Sequence, residues 1–309
     1  MTAGSLHEGQ ASERGVVLHG TGGTWTVRTT AGDTHEATLR GRLKQEGKGM
    51  KLAVGDDVVL QADPRGAQWS ITEIVPRRSV LARREPGGRV GERVVAANVD
   101  QVVVVFAAAN PEPHPRMIDR FLVIAEANDL AAVLVINKVD LTPDLDLAAR
   151  WADYTAAGYP VHFTSTKTGA GLAALLSTLT GRTSALTGPS GAGKSSLLNT
   201  LYPGLNLRVG VTSEAVNKGR HTTVGALLHP LPDGGYVVDT PGLREVGIWG
   251  LASADLDRCF PEFRPCLGHC RFKDCTHSVE PGCALRAAIA AGAVSRARFE
   301  SYRKLYDEL

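Results

Sequence analysis

One glycine-rich segment, Gly188 to Ser195, limits this chain to a small set of folds. It reads GPSGAGKS, follows the apolar segment TSALT and precedes SLLNTLY, which is compatible with a helix. The pattern matches the phosphate-binding loop between a strand and a helix of an α/β sheet, where backbone amides meet phosphate oxygens. We expect Lys194 to reach the terminal phosphates and the Ser195 hydroxyl to bind magnesium. The predicted nucleotide-binding residues of this loop are Gly188, Pro189, Ser190, Gly191, Ala192, Gly193, Lys194, Ser195 and Ser196.

The base is predicted from a second motif, because the loop alone does not distinguish ATP from GTP. NKVD follows the apolar segment VLVI. The Asp140 carboxylate can accept two hydrogen bonds from adjacent N–H groups of guanine that adenine does not present, while the Lys138 stem covers the base. An unpaired buried acceptor penalises adenine by on the order of a few kcal/mol. The predicted guanine-binding residues, including the loop after PVHF, are Asn137, Lys138, Val139, Asp140, Ser165, Thr166 and Lys167.

Two further motifs complete the predicted site. YVVDTPG ends another apolar segment, so Asp239 is expected to hold magnesium through water and the Gly242 amide to sense the terminal phosphate. GRHTT lies between the phosphate loop and DTPG. Either Thr222 or Thr223 can supply a second hydroxyl to magnesium, and the sequence leaves both open.

The order of these motifs is unusual. In ordinary small GTPases the phosphate loop comes first, whereas here NKVD and STK precede GPSGAGKS, GRHTT and DTPG. Apolar runs alternate with helical patterns, which is typical of parallel strands buried on both faces. We therefore predict a circularly permuted P-loop GTPase domain over 98–249, since domain ends are often close enough to be rejoined. LREVGIWGLA, the segment after DTPG, leads directly into the remaining chain. GTP hydrolysis could therefore be communicated to that part of the chain by ordering or disordering this segment.

A small β-domain is predicted ahead of the GTPase domain. Five short alternating segments, GVVLHG, TWTVRTT, HEATLRGRL, DDVVLQAD and WSITEIV, are separated by Gly, Asp and Pro turns. Their number and length suit an OB-type Greek-key barrel over 14–80, preceded by a flexible N-terminus, 1–13. Such barrels commonly bind oligonucleotides, but a purely structural β-domain is an equal alternative.

A basic linker, 81–97, is predicted between these two domains. The net charge of +2 is too small to indicate nucleic-acid binding, so any such prediction depends on local patches. This Pro/Gly-containing stretch and the residues just before it are rich in arginine. Glu85 and Glu92 are the only acidic residues among them. These arginines are Arg77, Arg78, Arg83, Arg84, Arg89 and Arg93. They form either an RNA-binding patch or a solvated linker.

All five cysteines lie in a C-terminal stretch that we predict to be a separate module, 250–309. Cys270, Cys275, His277 and Cys283 have the spacing C-x4-C-x-H-x5-C, which suits one tetrahedral structural zinc. Metal-binding energy in so short a segment becomes folding energy. Cys259 and Cys266 compete for the ligand roles. A final helix capped by Ser295 is predicted to pack through an apolar stripe, Phe299, Tyr302, Leu305, Tyr306 and Leu309.

The motif order and the flanking domains closely resemble the bacterial small-ribosomal-subunit-dependent GTPase A family. The resemblance covers nearly the whole chain from about Arg14, and GPSGAGKSS, NKVD, GRHTT, DTPGL and the cysteine/histidine pattern make it specific. It implies a late-acting assembly factor that binds the rRNA of the small ribosomal subunit, with slow GTP hydrolysis accelerated by that subunit. It also favours the last four metal ligands, which leaves Cys259 and Cys266 as free thiols.

The catalytic group is predicted from what is missing after DTPG. Leu243 stands where many GTPases place the glutamine that orients the attacking water, and an aliphatic chain cannot do this. His221, beside the candidate magnesium threonines, is the predicted catalytic residue, and proteins of the similar family are thought to use this histidine. RNA contact or simple loop filling is the alternative for His221.

Three functions compete at this point. The preferred one is an RNA-dependent GTPase acting in ribosome assembly. A nucleotide-gated binding protein with incidental turnover would agree with Leu243, and a P-loop ATPase or kinase would require NKVD to be coincidental.

No apolar run has the ~18 residues of a membrane span, and the start lacks a signal peptide's apolar segment. We therefore expect a cytoplasmic protein without membrane contact, and separately we expect it to be monomeric.

Overall fold

The chain folds into a barrel, a hairpin, a central sheet flanked by helices and a C-terminal module. The computed structural model describes residues 12–41, 51–63, 68–84, 92–207, 226–239 and 251–309. Within them, a closed five-stranded barrel is followed by a six-stranded α/β sheet and then by short helices around a cysteine/histidine cluster. This is the predicted multidomain α/β architecture. The predicted domain boundaries themselves stay predictions, and most of the N-terminus predicted to be flexible lies outside the described residues.

The barrel has the strand order of an OB fold. Its strands are β1 (Ser12–Thr21), β2 (Thr24–Thr29), β3 (Thr34–Leu39), β4 (Asp57–Ala62) and β5 (Trp69–Ile74). The order is β1-β2-β3-β5-β4, β4 pairs back with β1, and β3 runs parallel to β5. Period-two alternation turns apolar side chains such as Val58, Leu60 and Ile71 fully inward. The predicted five-strand barrel is confirmed.

The stretch predicted as a basic linker contains a hairpin instead. Strands β6 (Val80–Arg84) and β7 (Glu92–Ala97) pair antiparallel. Leu81 and Ala96 are fully buried in the same core as the central sheet. The linker prediction was wrong here because charge and glycine content were given more weight than these alternating apolar positions.

The first arginine of the predicted basic patch is largely buried and forms an ion pair. The Arg77 guanidinium donates to both carboxylate oxygens of Asp56, at 2.6 and 2.9 Å, and to the Lys51 carbonyl at 2.7 Å. Arg78 is largely exposed and pairs with Asp100 at 3.0 Å. The side chains of Arg83, Arg84, Arg89 and Arg93 lie outside the described part. Arg77 therefore fastens the barrel to the following chain and offers no charge to a ligand.

A close backbone approach docks the barrel against the hairpin. Gly55 has φ +87°, and a Cβ there would lie 2.2 Å from the Ala97 carbonyl oxygen. The buried Asn98 side chain donates to the Gly55 carbonyl at 3.0 Å and accepts from the Arg78 amide at 2.8 Å. Barrel and central sheet also share one hydrophobic core. The barrel is therefore packed against the GTPase domain, and the two are joined by more than the connecting chain.

The central sheet is mostly parallel and covered on both faces. Its strands are β8 (Gln101–Ala107), β9 (Ala131–Asn137), β10 (Val161–Phe163), β11 (Thr183–Thr187), β12 (Leu227–Pro230) and β13 (Tyr236–Asp239). The order is β10-β9-β8-β11-β13-β12, and only β12 runs antiparallel to its neighbour. All seven residues of β8 are buried, as its continuous apolar run predicted. Strand β12 was not predicted, because its four residues carry no clear alternation.

Helices cover the two faces of this sheet. They are α1 (Pro115–Ala127), α2 (Leu147–Arg150), α3 (Ala152–Ala156), α4 (Leu172–Leu179) and α5 (Lys194–Leu201). Helices α1 to α3 pack on one face, and α4 and α5 pack on the other. None of the helices that the structure describes is long and apolar enough to cross a membrane.

A short turn marks the point of permutation. Thr180 to Arg182 connects α4 to β11 at the edge where the parallel strands begin. Gly181 has φ +70° and donates its N–H to the Gly234 carbonyl at 3.0 Å. Ordinary small GTPases start with the strand before the phosphate loop and end after the base-reading motifs. This turn therefore stands where such chains have both their ends.

The C-terminal module contains short helices around its own core. Three 3₁₀ helices, Ser253–Asp255, Asp257–Cys259 and Pro261–Cys266, precede α6 (Ala284–Ala290) and α7 (Arg296–Tyr306). Ser295 accepts from the Arg298 amide as the predicted N-cap. Tyr302 and Leu305 are buried as predicted, whereas Leu309 is 42% exposed because it lies beyond the last helical turn. The apolar stripe was therefore predicted one residue too long.

Helix α1 belongs to two cores at once. One side packs on the central sheet, while Val123 lies in the core of the C-terminal module. Asp119 of α1 accepts a hydrogen bond from Arg298 of α7, which also donates to Glu262 at 2.6 and 3.2 Å. Arg298 and Asp119 are almost fully buried. The module is therefore fixed to the GTPase domain through α1.

Candidate active site and candidate metal centre

The predicted nucleotide motifs meet at one edge of the sheet. The parallel strands β8, β9, β10, β11 and β13 all end at this edge. Asn137 ends β9, Ser165 lies two residues after β10, Gly188 follows β11, and Asp239 ends β13. Open α/β sheets bind ligands outside the carboxyl ends of their strands. The fold thus brings together motifs that lie far apart in the sequence.

The phosphate loop depends on its glycines. Gly188, Gly191 and Gly193 have φ of +130°, +78° and +91°. A Cβ on Gly188 would lie 2.0 Å from the Val105 carbonyl oxygen, and one on Gly193 would lie 2.5 Å from the Asn137 Nδ2 atom. Any side chain at either position would therefore displace the loop from the neighbouring strands.

The loop lysine and serine lie at the start of α5. Lys194 Nζ donates to the carbonyl oxygens of Gly188 at 2.7 Å and Pro189 at 2.8 Å. These contacts fold the lysine back over the loop whose amides are predicted to bind phosphate. Ser195 lies in the first helical turn. The arrangement places one cation, one hydroxyl and a helix N-terminus together, a combination suited to phosphate and its bound metal.

Asn137 ties the base motif to the phosphate loop. Its side chain is buried, donates from Nδ2 to the Ala192 carbonyl at 3.0 Å and accepts at Oδ1 from the Thr164 hydroxyl at 3.1 Å. Its own carbonyl accepts from the Ala108 amide at 2.7 Å. Asn137 is therefore hydrogen-bonded to the segments that follow β8, β10 and β11. Sequence reasoning missed Thr164, whose only signal was its position directly before the STK motif.

The carboxylate predicted to read the base is already oriented. The Ser165 hydroxyl donates to Asp140 Oδ1 at 2.6 Å, and Ser165 Oγ accepts from the amides of Lys167 and Thr168 at 3.2 Å each. Ser165 is fully buried, whereas Asp140 is half-buried. The serine of the STK motif therefore uses its hydroxyl to hold the Asp140 carboxylate. Thr166 is half-buried and Lys167 is exposed beside it.

Lys138 is held in a conformation that few lysines adopt. Its φ is +60°, and its Nζ donates to the Asn110 carbonyl at 2.5 Å. Asn110, in the loop after β8, also has a positive φ of +50°. Sequence reasoning did not single out Asn110. Its signal was the tripeptide Ala-Asn-Pro directly after a buried strand, a typical turn composition.

The last predicted motifs are only partly within the described residues. Asp239 is exposed and ends β13, at the edge of the sheet where the other nucleotide motifs lie. His221, Thr222, Thr223 and Gly242 lie outside the described residues, so their roles stay predictions.

A second site lies in the C-terminal module. The ligand atoms of Cys270, Cys275, His277 and Cys283 all lie within 4.8 Å of one another, the predicted four and no others among the described cysteines. His277 Nδ1 lies 3.3 Å from Cys283 Sγ and 3.6 Å from Cys270 Sγ, and the two sulfurs are 3.9 Å apart. A tetrahedral zinc with Zn–S bonds of about 2.3 Å requires sulfurs about 3.8 Å apart. The cluster therefore fits a structural zinc.

The two remaining cysteines are not among the four clustered ligands. Cys259 is buried, and its Sγ lies 3.6 Å from the Asp255 carbonyl oxygen. Burial raises the pKa of the Cys259 thiol to about 12, so the group stays protonated. Neither Cys259 nor Cys266 forms a disulfide, so their assignment as free thiols beside a bound zinc stays a prediction.

Asp257 orients the histidine of the cluster. His277 Nε2 lies 3.3 Å from Asp257 Oδ2, on the ring side away from the sulfurs. A carboxylate on the second ring nitrogen fixes the tautomer that leaves Nδ1 to the metal. Sequence reasoning missed Asp257 because it lies 20 residues before His277, outside the ligand pattern.

We expect Asp257→Ala to weaken zinc binding by roughly 10- to 100-fold, because loss of an outer carboxylate has effects of this size. Competition with a chromogenic chelator, read as zinc retained per chain, measures the change. Asp255→Ala is the matched control, since Asp255 has no hydrogen bond to a ligand residue among those described. Equal zinc retention by the two variants would refute the role of Asp257.

Comparison with known proteins places the chain among GTPases. The pattern of the RsgA GTPase family matches residues 74–249. The Small ribosomal subunit biogenesis GTPase RsgA of Gemmatimonas aurantiaca is 63% identical over 300 residues, which cover 96% of this chain and 98% of that protein. The chain belongs to the RsgA GTPase family. It is therefore a GTP-hydrolysing enzyme, and the ATPase or kinase alternative is wrong.

Solved structures of similar proteins support the same fold. The crystal structure of YjeQ from Thermotoga maritima superposes with a TM-score of 0.81 at 35% identity, covering 97% of this chain and 99% of that one. YloQ, described as a circularly permuted GTPase, superposes with a TM-score of 0.77 at 28% identity, covering 99% and 97%. The predicted permutation is therefore confirmed for this member of the RsgA GTPase family.

Proposed function

We propose that this GTPase acts in late assembly of the small ribosomal subunit, binds its rRNA and hydrolyses GTP faster when bound to it. The main support is the 63% identity to a small-ribosomal-subunit biogenesis GTPase over almost the full length of both proteins. The retained domains agree with this role, because an OB-type barrel and a cysteine/histidine module flank the GTPase domain. Both kinds of module commonly bind RNA. A protein with this role works in the cytoplasm, and we propose that it acts as a monomer.

Guanine is proposed to bind between the loops that follow β9 and β10. Asp140 accepts from the base, and the hydrogen bond from Ser165 holds its carboxylate in one orientation. Lys138 lies along the base, positioned by the Asn110 carbonyl. Asn137 keeps both loops in register with the phosphate loop. Thr166 and Lys167 border the base on the other side.

The phosphates are proposed to bind over residues 188–196. Backbone amides of the loop face the phosphate oxygens, and Lys194 exchanges its two carbonyl contacts for the terminal phosphates. Gly242 would add an amide from the DTPG motif.

The magnesium that accompanies GTP is proposed to be held by Ser195, Asp239 and either Thr222 or Thr223. Hydroxyl and carboxylate oxygens are the ligands this ion prefers. It would neutralise charge on the phosphates. Among the described residues, Asp239 ends β13 and Ser195 lies in the first turn of α5, which follows the loop after β11, and β11 and β13 are neighbouring strands.

His221 is proposed to orient the attacking water, since Leu243 cannot. Substituting alanine for His221 is expected to reduce subunit-stimulated hydrolysis by about 100-fold or more, within the usual range for a positioned acid or base. Affinity for GDP should stay within about two-fold, because His221 acts on water rather than on the nucleotide. Single-turnover phosphate release and fluorescent GDP titration measure the two effects. Full stimulated turnover in the variant would exclude His221 from catalysis.

The cysteine/histidine cluster is proposed to hold one structural zinc. Its four protein ligands leave no open position for chemistry, so the metal would stabilise the module. We also propose that hydrolysis acts on this module through the segment after DTPG. Residues 240–250 of that path lie outside the described residues, and the support for the proposal is the order of DTPG and the module along the chain.

The proposed function is tested by phosphate release from GTP with no addition, with small ribosomal subunits and with large subunits. Stimulation by the small subunit alone would support both the activity and the partner. Equal, negligible turnover under all three conditions would favour the nucleotide-gated binding protein and count against an assembly GTPase.

A further inference from the structure

Helix α1 carries a stripe of side chains that contact the C-terminal module from its first turn to its last. Residues at positions i, i+3, i+4, i+7 and i+10 share one face of a helix. The polar members of the stripe pair with Arg264, Arg298 and Glu308 of the module, and Val123 lies in the module's hydrophobic core. The members are Arg116, Asp119, Arg120, Val123 and Glu126. The module therefore holds α1 along its whole length.

The chain just ahead of α1 borders the nucleotide site. Residues 110–114, which we call the bridging loop, connect β8 to the first residue of α1. Lys138 Nζ donates to the Asn110 carbonyl at 2.5 Å. Pro111 lies against the phosphate loop, since a Cβ on Gly191 would be 3.4 Å from Pro111 Cδ. The bridging loop thus contacts both the base motif and the phosphate loop.

The bridging loop is short and stiff. Each proline fixes its own φ near about −65° and leaves the chain fewer ways to bend. The prolines in and directly after the loop are Pro111, Pro113 and Pro115. The His114 carbonyl accepts from two amides of the first helical turn, at 2.9 and 3.1 Å, which joins the loop to the helix. A shift of α1 would therefore be passed on to the Asn110 carbonyl.

Arg298 makes the most buried polar contact between the module and α1. Its side chain is 3% exposed and that of Asp119 is 2% exposed, while Glu262 of the module shares the guanidinium. Exposed ion pairs contribute little to stability, whereas removing one partner of a buried pair is strongly destabilising. Asp119 lies four residues after Pro115, one turn into the helix. Holding Asp119 therefore holds the start of α1.

We propose that Arg298 is a positioning residue for nucleotide binding. Through Asp119 it fixes α1, and α1 in turn holds the bridging loop against the phosphate loop and against Lys138. The module thus affects nucleotide affinity by a path that is separate from the segment after DTPG. Nucleotide binding and docking of the module on α1 are then linked, so that each strengthens the other. This proposal rests on the proposed placement of guanine along Lys138 and does not depend on the ribosomal partner.

The experiment is isothermal titration of the full chain, loaded with zinc, with GDP. Arg298→Met should weaken GDP binding by roughly 3- to 30-fold, the range for substitutions that alter coupling between distant sites. Arg303→Met is the matched control on the same helix. The described contacts of Arg303 all lie within the module, so this variant should leave the affinity unchanged.

Lys138→Met shows whether the effect passes through the bridging loop. It removes the donor to the Asn110 carbonyl and should itself weaken GDP binding. In this background Arg298→Met should cause a clearly smaller further loss, because part of its path no longer reaches the nucleotide. A general loss of stability would instead give additive losses. In the unsubstituted chain, GDP should increase the hydrogen-exchange protection of α7, as reciprocal coupling requires.

Zinc content and circular dichroism check that each variant folds. If Arg298→Met does not retain zinc, Asp119→Ala replaces it, because that change leaves Arg298 paired with Glu262. The proposal is overturned by unchanged GDP affinity when the Arg298–Asp119 contact is broken, by additive losses with Lys138→Met, or by equal α7 protection with and without GDP. Unchanged affinity in Lys138→Met would also overturn the proposed base site. A loss in Lys138→Met with none in Arg298→Met counts against the role of Arg298 alone.

Discussion

Replacing Asp140 by asparagine is expected to lower the affinity for GTP by about 100-fold or more and to leave the weak affinity for ATP almost unchanged. The carboxylate would lose charge-assisted hydrogen bonds to two guanine N–H groups, each contributing roughly 1.5 to 3 kcal/mol. The asparagine amide would also present one donor where only acceptors fit. Isothermal titration with GDP, GTP and ATP gives the ratio directly.

Two variants sharpen this test. Asp144→Asn makes the same chemical change at an exposed position of the same loop and should leave the GTP/ATP ratio as it was. Ser165→Ala removes the 2.6 Å hydrogen bond that orients Asp140 and should cause a smaller loss, since the carboxylate itself remains. An unchanged ratio in Asp140→Asn would remove this residue from the base site.

Replacing Arg298 by methionine is expected to destabilise the junction between α1 and the C-terminal module by about 3 to 5 kcal/mol. The change leaves the buried carboxylates of Asp119 and Glu262 without their cation, and breaking a buried pair in this way has a cost of that size. The guanidinium also lies 4.7 Å from the centre of the Phe260 ring and 5.2 Å from that of Tyr154. Burial opposes its charge, but the neighbouring carboxylates outweigh burial and raise the pKa of Arg298.

Hydrogen exchange is the appropriate measurement, because a multidomain protein has no single free energy of unfolding. Protection in α7 and in residues 256–266 should fall in Arg298→Met, while protection in β8 and β9 should hardly change. Arg303→Met, on the same helix, removes a 3.6 Å pair with Asp307 and a 3.5 Å hydrogen bond to the Thr276 carbonyl, and should have an effect of about 1 kcal/mol. Similar losses of protection in both variants would show that Arg298 has no special role at the junction.

The sequence predicts most of this fold because its signals are local and strong. The buried run of β8 specifies a strand, and the loop 188–196 specifies both the strand before it and the helix after it. The sheet and its ligand edge could therefore be derived from few residues. The alternation in β1 to β5 likewise predicted the barrel. The C-x4-C-x-H-x5-C spacing predicted the metal cluster because its ligands lie within 14 residues.

Contacts between distant segments could not be predicted in this way. Asn110 meets Lys138, and Asp257 meets His277, only after separate elements have packed. The hairpin of β6 and β7 was mistaken for a linker because its buried positions, Leu81 and Ala96, are separated by a charged connection. Arg77 carried a charge that suggested an exposed patch, whereas its partner Asp56 lies 21 residues earlier.

The turn from Thr180 to Arg182 has a mechanical consequence. Because this turn closes the ends that an ordinary GTPase leaves free, the chain enters the sheet at Gln101 and leaves it at Asp239, on opposite edges. The barrel is attached near the point of entry, and the covalent path to the C-terminal module departs from the nucleotide edge. The C-terminal module is therefore joined to the GTPase domain at two places, by the chain that leaves the sheet after Asp239 and by the buried contact of Arg298 with Asp119 of α1.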